Sequence, residues 1–191
     1  MIKTFATTMG LTAIMTLTAF ADPISGKDAK KVLYAPLNAE VEILKSAGLG
    51  KNDAKALQMV GVAQPYFGAI AISPEDGLMS ESTVAAANYH DTEAASAVAL
   101  AECNAKKKGK ADCVLAALIR PKGWKDRGFQ MSSDATQGFK KSYDAKAGAM
   151  AISKSTGGWG LGKGATAPDD AVAACIAKAN SAKDCAVVIA N

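Results

Sequence analysis

Gly68-Ala69-Ile70-Ala71-Ile72-Ser73 returns as Gly148-Ala149-Met150-Ala151-Ile152-Ser153, with five of the six positions identical. Neither copy has a polar face, and a strand of that kind lies inside a sheet covered on both sides. The recurrence continues downstream. Each copy is followed by an alanine-rich segment holding one cysteine, Cys103 or Cys175, and then by an Asp-Cys pair, Asp112-Cys113 or Asp184-Cys185, that opens an apolar run. The reading is a unit of two strands, a helix and a closing strand, present twice.

The second copy shows the hairpin most clearly. Ser155-Thr156-Gly157-Gly158 has turn chemistry, and Trp159-Gly160-Leu161-Gly162-Lys163-Gly164 alternates glycine with larger side chains. Such a strand leaves one face bare and lets another element approach closely. In the first copy residues 77–88 correspond, less regularly, with Leu78, Met79 and Val84 as apolar members. Helices should follow. Thr92 suits an N-cap, Pro168 suits a first turn, and Glu93, Asp169 and Asp170 lie where the helix dipole favours acid. Their buried stripes are read as Ala95, Val98, Ala99 and Glu102-Cys103, and as Ala171, Val172, Cys175 and Ile176; residues 114–119 and 186–190 read as closing strands.

Cys103 and Cys113 are ten residues apart, and so are Cys175 and Cys185, although the step from strand serine to helix cysteine is thirty residues in one copy and twenty-two in the other. Four cysteines allow three pairings. The duplication selects Cys103 with Cys113 and Cys175 with Cys185, each stapling a helix to the next strand for about 2 to 3 kcal/mol. A metal or dithiol redox site is not expected: there is no Cys-x-x-Cys, and His90 is the sole histidine. No cofactor is expected.

Residues 1–21 carry Lys3 as their only charge, an apolar run from Phe5 to Phe20, and Ala19-Phe20-Ala21 before Asp22-Pro23. This is the layout of a cleavable export signal, with an apolar core short for a bilayer span. An oxidising compartment, periplasmic or extracellular, follows as the expectation, and with it disulfides and no stable membrane insertion. The remaining chain suits one domain. With 22 basic and 18 acidic residues, the charge bias is too small to point to nucleic acid.

Residues 22–64 read as an N-terminal arm. Residues 26–34 are expected to be loosely ordered before Pro36; Glu40-Val41-Glu42-Ile43 alternates like a short edge strand. Gly48 and Gly50 mark a turn, and Asn52 or Asp53 would cap a helix through Val60 with Ala56, Leu57 and Val60 inward. Residues 120–144, between the repeats, read as an irregular crossover anchored by Trp124 and Phe129, and the lysine-rich turn 106–110 as a solvated charge run. The whole is expected to be α+β: two ββαβ-like repeats, 66–119 and 145–191, in one mainly antiparallel sheet with helices packed on it, within a duplicated domain spanning 65–191.

Few residues form a catalytic pattern. Residues 157–164 match Gly-x4-Gly-Lys, but Gly164 stands where a phosphate loop needs Ser or Thr, and no helix follows directly. His90, beside Asp91, is the candidate general base, yet the chain has no Gly-x-Ser-x-Gly elbow and no free cysteine to serve it. Ser73 and Ser153, at equivalent strand ends, read as turn-bonding residues. The leading reading is an exported, non-catalytic binding or interaction protein whose partner is an envelope protein or a small ligand. Two alternatives are a small hydrolase around His90 and a protease inhibitor or envelope-stress factor using residues 120–143.

Through Gly148–Ser153, Trp159-Gly160, residues 171–175 and Asp184-Cys185, and more loosely 68–73, 93–103 and Asp112-Cys113, the chain resembles a family of small exported bacterial domains of unknown function with paired cysteines. The resemblance implies the fold and compartment and brings no catalytic residues. An assignment as a 5-aminolevulinate synthase has no support: such an enzyme resembles large cytoplasmic pyridoxal-phosphate proteins, of more than twice this length.

Overall fold

A computed structural model describes residues 22–191; the expected export signal, 1–21, lies outside the described residues. In chain order the elements are α1 (Gly26–Val32), β1 (Ala39–Ile43), α2 (Lys51–Gly61), β2 (Gly68–Ile72), β3 (Val84–Ala86), α3 (Thr92–Lys106), β4 (Val114–Pro121), α4 (Ser133–Ser142), β5 (Gly148–Ser153), β6 (Trp159–Lys163), α5 (Ala167–Lys178) and β7 (Cys185–Ala190). The fold is α+β with antiparallel strands, as read from the sequence. The strands form two sheets rather than one, in the orders β1-β4-β2-β3 and β6-β5-β7.

The quoted hexapeptides are the central strands β2 and β5, buried at every position. Their alternation decides what covers them. Ala69 and Ala71 meet Ala95, Ala99 and Cys103 of α3, while Ile70 and Ile72 pack with Leu57 of α2. In the second sheet Ala149 and Ala151 meet Ala167, Ala171 and Cys175 of α5, while Met150 and Ile152 pack with α1 and α4. A small face thus admits the stapled helix closely, and a bulky face fills a second interior on the other side. Both central strands shift register against the closing strand at the same place, between Ile70 and Ala71 and between Met150 and Ala151.

The bare face of β6 has a visible purpose. A Cβ added to Gly160 would overlap the Ala171 carbonyl and the Cys175 nitrogen, and one added to Gly162 would overlap the Ala167 carbonyl. Helix α5 therefore lies backbone to backbone on this strand. Disulfides Cys103–Cys113 and Cys175–Cys185 join each helix to the closing strand, with Cα separations of 6.1 and 6.0 Å.

One shared sheet does not form because the free edges of the closing strands are taken by the N-terminal segment. β1 pairs along β4, and Ile24 bridges Ile189 of β7 in parallel. Residues 26–34, expected to be loose, contain the helix α1, capped by Ser25, with Ala29 and Leu33 in the core of the second sheet. Pro36 lies beyond the helix end and does not oppose it. The supposedly irregular crossover contains α4, whose Ala135 and Phe139 fill the same core together with Met131. Exposed polar Asp134, Gln137 and Lys140 masked that helix in the sequence.

Smaller differences have local causes. Gly50, not Asn52 or Asp53, occupies the N-cap of α2, and only Leu57 of the three expected inward residues is buried; Ala56 and Val60 face solvent because β1 meets α2 through Leu57 and Gly61. Asp91 rather than Thr92 caps α3, accepting the Ala94 N–H at 2.7 Å. Ile176 is exposed because the contact stripe of α5 is only as wide as Ala167, Ala171 and Cys175, and Glu102 of α3, expected inward, is exposed and ion-paired with Lys106.

Candidate functional site

His90 lies in the junction between the two sheets, with 3 % of its surface exposed. Its Nδ1 accepts the Ser132 N–H at 3.1 Å, which places the ring proton on Nε2, 3.1 Å from the Gly158 carbonyl oxygen that receives it. Burial pushes its pKa down to about 4, against the Gly158 hydrogen bond and the Asp91 and Asp184 carboxylates, which favour the charged form. His90 is therefore a neutral crosspiece with both nitrogens committed to backbone. Its neighbours do similar work. Asn88, at φ 67°, exchanges side-chain and backbone hydrogen bonds with Asp134, and Tyr89 donates its N–H to the Phe67 carbonyl.

Ser153 comes to the same end of the second hairpin, but not as a partner of the imidazole. Its hydroxyl donates to Asp184 Oδ1 at 2.6 Å and accepts from the Thr156 hydroxyl at 2.7 Å, and its N–H donates to the Gly158 carbonyl. Burial pushes the Asp184 carboxyl up, yet the bonds from Ser153 and Ser155 outweigh it and hold the group below the usual carboxylate range. Serine, acid and histidine thus share a neighbourhood while the serine bonds the acid directly. The relay in which histidine takes the serine proton is not assembled.

Ser73 is buried and accepts the Asp76 N–H at 3.3 Å. Asp76 in turn receives the Lys108 and Gly109 N–H groups, each at 2.9 Å, and Glu75 receives Lys110 N–H at 2.5 Å. The Lys108 N–H is the main reason that the Asp76 carboxyl sits below its ordinary range. The amides of the lysine-rich turn therefore bind the chain's own carboxylates. Lys107 is folded back onto the Ala111 carbonyl and Asp112.

These residues are spent on the scaffold. A cleft of about 520 Å³ follows β1 at the rim of the first sheet and includes Glu40, Glu42, Gln58, Val62, Arg120 and Trp124. Arg120 is ion-paired with Glu42 and lies 4.8 Å above the Trp124 ring, and Glu40 accepts the Gly123 N–H at 3.1 Å. Trp124 donates from its indole nitrogen to Gln130 at 3.1 Å. The ring and the guanidinium are thus held at fixed orientation beside two carboxylates. Alternation in residues 40–43 announced the two carboxylates; Arg120 sits at the end of an apolar strand and gave no signal. A smaller cleft of about 230 Å³ is lined by His90, Asp22, Ile24, Phe129, Lys154 and Val188.

The loop 122–130 next to the large cleft is braced at several points. Tyr34 donates its hydroxyl to the Lys125 carbonyl at 2.6 Å and accepts the Lys125 N–H at 2.7 Å, and the Arg127 guanidinium lies 4.0 Å above the Tyr34 ring. The disulfide Cys103–Cys113 is at the opposite end of β4 and does not support this loop.

Compared with protein families, with curated proteins and with solved structures, the chain matches none. The two disulfides agree with a small disulfide-stapled domain of an oxidising environment, and no described helix is long and apolar enough to cross a membrane.

Proposed function

We propose that this chain is a non-catalytic binding or interaction module, exported by residues 1–21 to the periplasm or the cell surroundings, and built by internal duplication on the plan of the small exported bacterial domains that it resembles. One observation carries the reading: His90, Asp91, Ser73 and Ser153 are each engaged in holding turns, a helix cap or the sheet junction, whereas the open cleft at β1 presents an oriented tryptophan, a guanidinium and two carboxylates. Those are groups that bind. An envelope protein or a small ligand is the partner class. Capture from an envelope fraction on the immobilised chain tests it: a retained protein or glycan that is lost with Arg120→Ala and Trp124→Ala is expected. Turnover in a hydrolase substrate panel that disappears with His90→Ala would sink the proposal and restore the hydrolase alternative.

A second reading, inhibition of a protease, is favoured by the braced and exposed loop 122–130 with Lys122, Lys125 and Arg127. Its test is inhibition of a protease that cleaves after basic residues, with Lys125→Ala and Arg127→Ala expected to lower it.

A further inference from the structure

β1 ends the four-stranded sheet, and its outward side is open. The Lys122 N–H donates to the Asn38 carbonyl at 2.8 Å, and the Leu44 N–H to the Ala116 carbonyl at 2.9 Å. Between these bonds the register sets Glu40 opposite Arg120 and Glu42 opposite Leu118. In an antiparallel ladder the residues that bond one neighbour alternate along the strand. Residues 38, 40, 42 and 44 therefore turn their backbone groups to β4, and Ala39, Val41 and Ile43 turn theirs away from it. Among the described residues none of those outward N–H and C=O groups has a partner.

The large cleft follows this edge. Ala39, Glu40, Val41 and Glu42 all line it, and because consecutive strand residues belong to opposite faces, a cavity touching all four wraps the rim, from Gln58 and Val62 beside α2 to Leu118 and Arg120 on the face of Glu40 and Glu42. The two sides differ. Toward α2 lie Val41, packed against Gly61, and Val62, which is 48 % exposed. A second cleft of about 220 Å³ shares Ala39 and Val62 and extends the apolar side to Leu37, 72 % exposed. On the other face stand the Glu40 and Glu42 side chains, each of which uses one carboxylate oxygen within the chain, on the Gly123 N–H and on Arg120.

Resting on the binding reading above, we propose that β1 receives an extended peptide segment of another protein as an added strand, with apolar side chains at alternate positions and basic ones between them. A row of three residues with free donors and acceptors is matched in register only by another backbone. Apolar side chains of the added strand fall beside Val41 and Val62, and the basic ones fall beside Glu40 and Glu42, where opposite charges on adjacent strands attract. A second copy of this chain is the wrong occupant. Two-fold antiparallel pairing about Val41 sets Glu40 against Glu42 twice, and like charges directly opposed are destabilising.

The probe is an acetylated and amidated peptide, Thr-Val-Lys-Val-Lys-Val-Thr, titrated into the isotopically labelled, disulfide-bonded chain and followed by amide NMR and hydrogen exchange. The expected result is saturable shifts at Ala39, Val41 and Ile43, with at least tenfold slower exchange of their amides, and at least tenfold weaker binding by the same peptide N-methylated on the edge facing β1. Val41→Pro should abolish binding while leaving the remaining amide spectrum in place, since proline is tolerated where an edge N–H faces outward. The N-methylated peptide keeps the test decisive if that variant does not fold. Equal binding of the methylated peptide, or no protection at millimolar peptide, overturns the proposal. So does protection that appears on raising the protein concentration without peptide, which would identify a second copy. If the peptide fails while capture from the envelope remains sensitive to Arg120→Ala and Trp124→Ala, strand addition alone falls; if capture fails as well, both readings fall.

Discussion

His90 binds Ser132 through one nitrogen and Gly158 through the other, so protonation must break the bond to Ser132 and leave a buried charge facing a backbone N–H. The folded-state pKa is about 4 against an ordinary 6.5. The unfolded chain therefore binds the proton first, and stability from the neutral ring is complete above pH 6.5 and lost as pH falls to about 4. That interval corresponds to about 3 kcal/mol. Urea denaturation midpoints measured across it should fall with pH in the native chain. In His90→Gln, whose amide does not titrate, the fall should be much shallower. At still lower pH, protonation of Asp76 and Asp184, both held below the usual carboxylate range, should weaken the fold in the same direction.

Among the elements, the packing of α5 on β6 admits the least change. Gly160→Ala and Gly162→Ala drive a methyl group into helix backbone, which unlike a side-chain tip has no rotamer to escape into. Each should cost about 3 kcal/mol or more in denaturant titration. Gly50→Ala, where a Cβ meets nothing closer than an Asp53 oxygen at 4.0 Å, is the matched control and should stay within about 1 kcal/mol. The staples belong to the same level of organisation. Replacing Cys103 and Cys113 together by alanine should cost about 2 to 3 kcal/mol, and the equivalent pair in the second half a similar amount, each read from the loss in midpoint.

In the whole molecule, the residues before β2, together with the His90 junction, join the two sheets into one body. Ile24 pairs with β7 through bonds to Val188 and Ala190, α1 fills the core of the second sheet, and β1 then crosses to the first. A single cooperative unfolding transition is expected, with calorimetric and van't Hoff enthalpies equal. Leu33→Ala should lower its midpoint by about 2 to 3 kcal/mol. Cutting the tie by Ile24→Pro together with His90→Ala should split the transition in two, the second sheet melting first because α1 has lost its anchor.

How much of this was legible follows from the range of each interaction. The burial of β2 and β5, the close approach to β6, the edge strand β1 and the cysteine staples were readable because each rests on alternation or spacing within a few residues, or on a ten-residue cysteine interval. Helix α1 and helix α4 were not, since their amphipathic stripes are short and have meaning only against a sheet core formed more than a hundred residues away or not yet made. His90 illustrates the same limit at the candidate site: a loop histidine beside an aspartate looks like a base, and only a carbonyl 68 positions along the chain turns it into a crosspiece. The division into two sheets belongs with it. The repeated hexapeptide by itself determined that each copy is a central, doubly covered strand, because local side-chain alternation settles that. Which strand lies beside which was decided in the folded chain, where Ile24 and β1 reached the edges of β7 and β4 and left the outer side of β1 open.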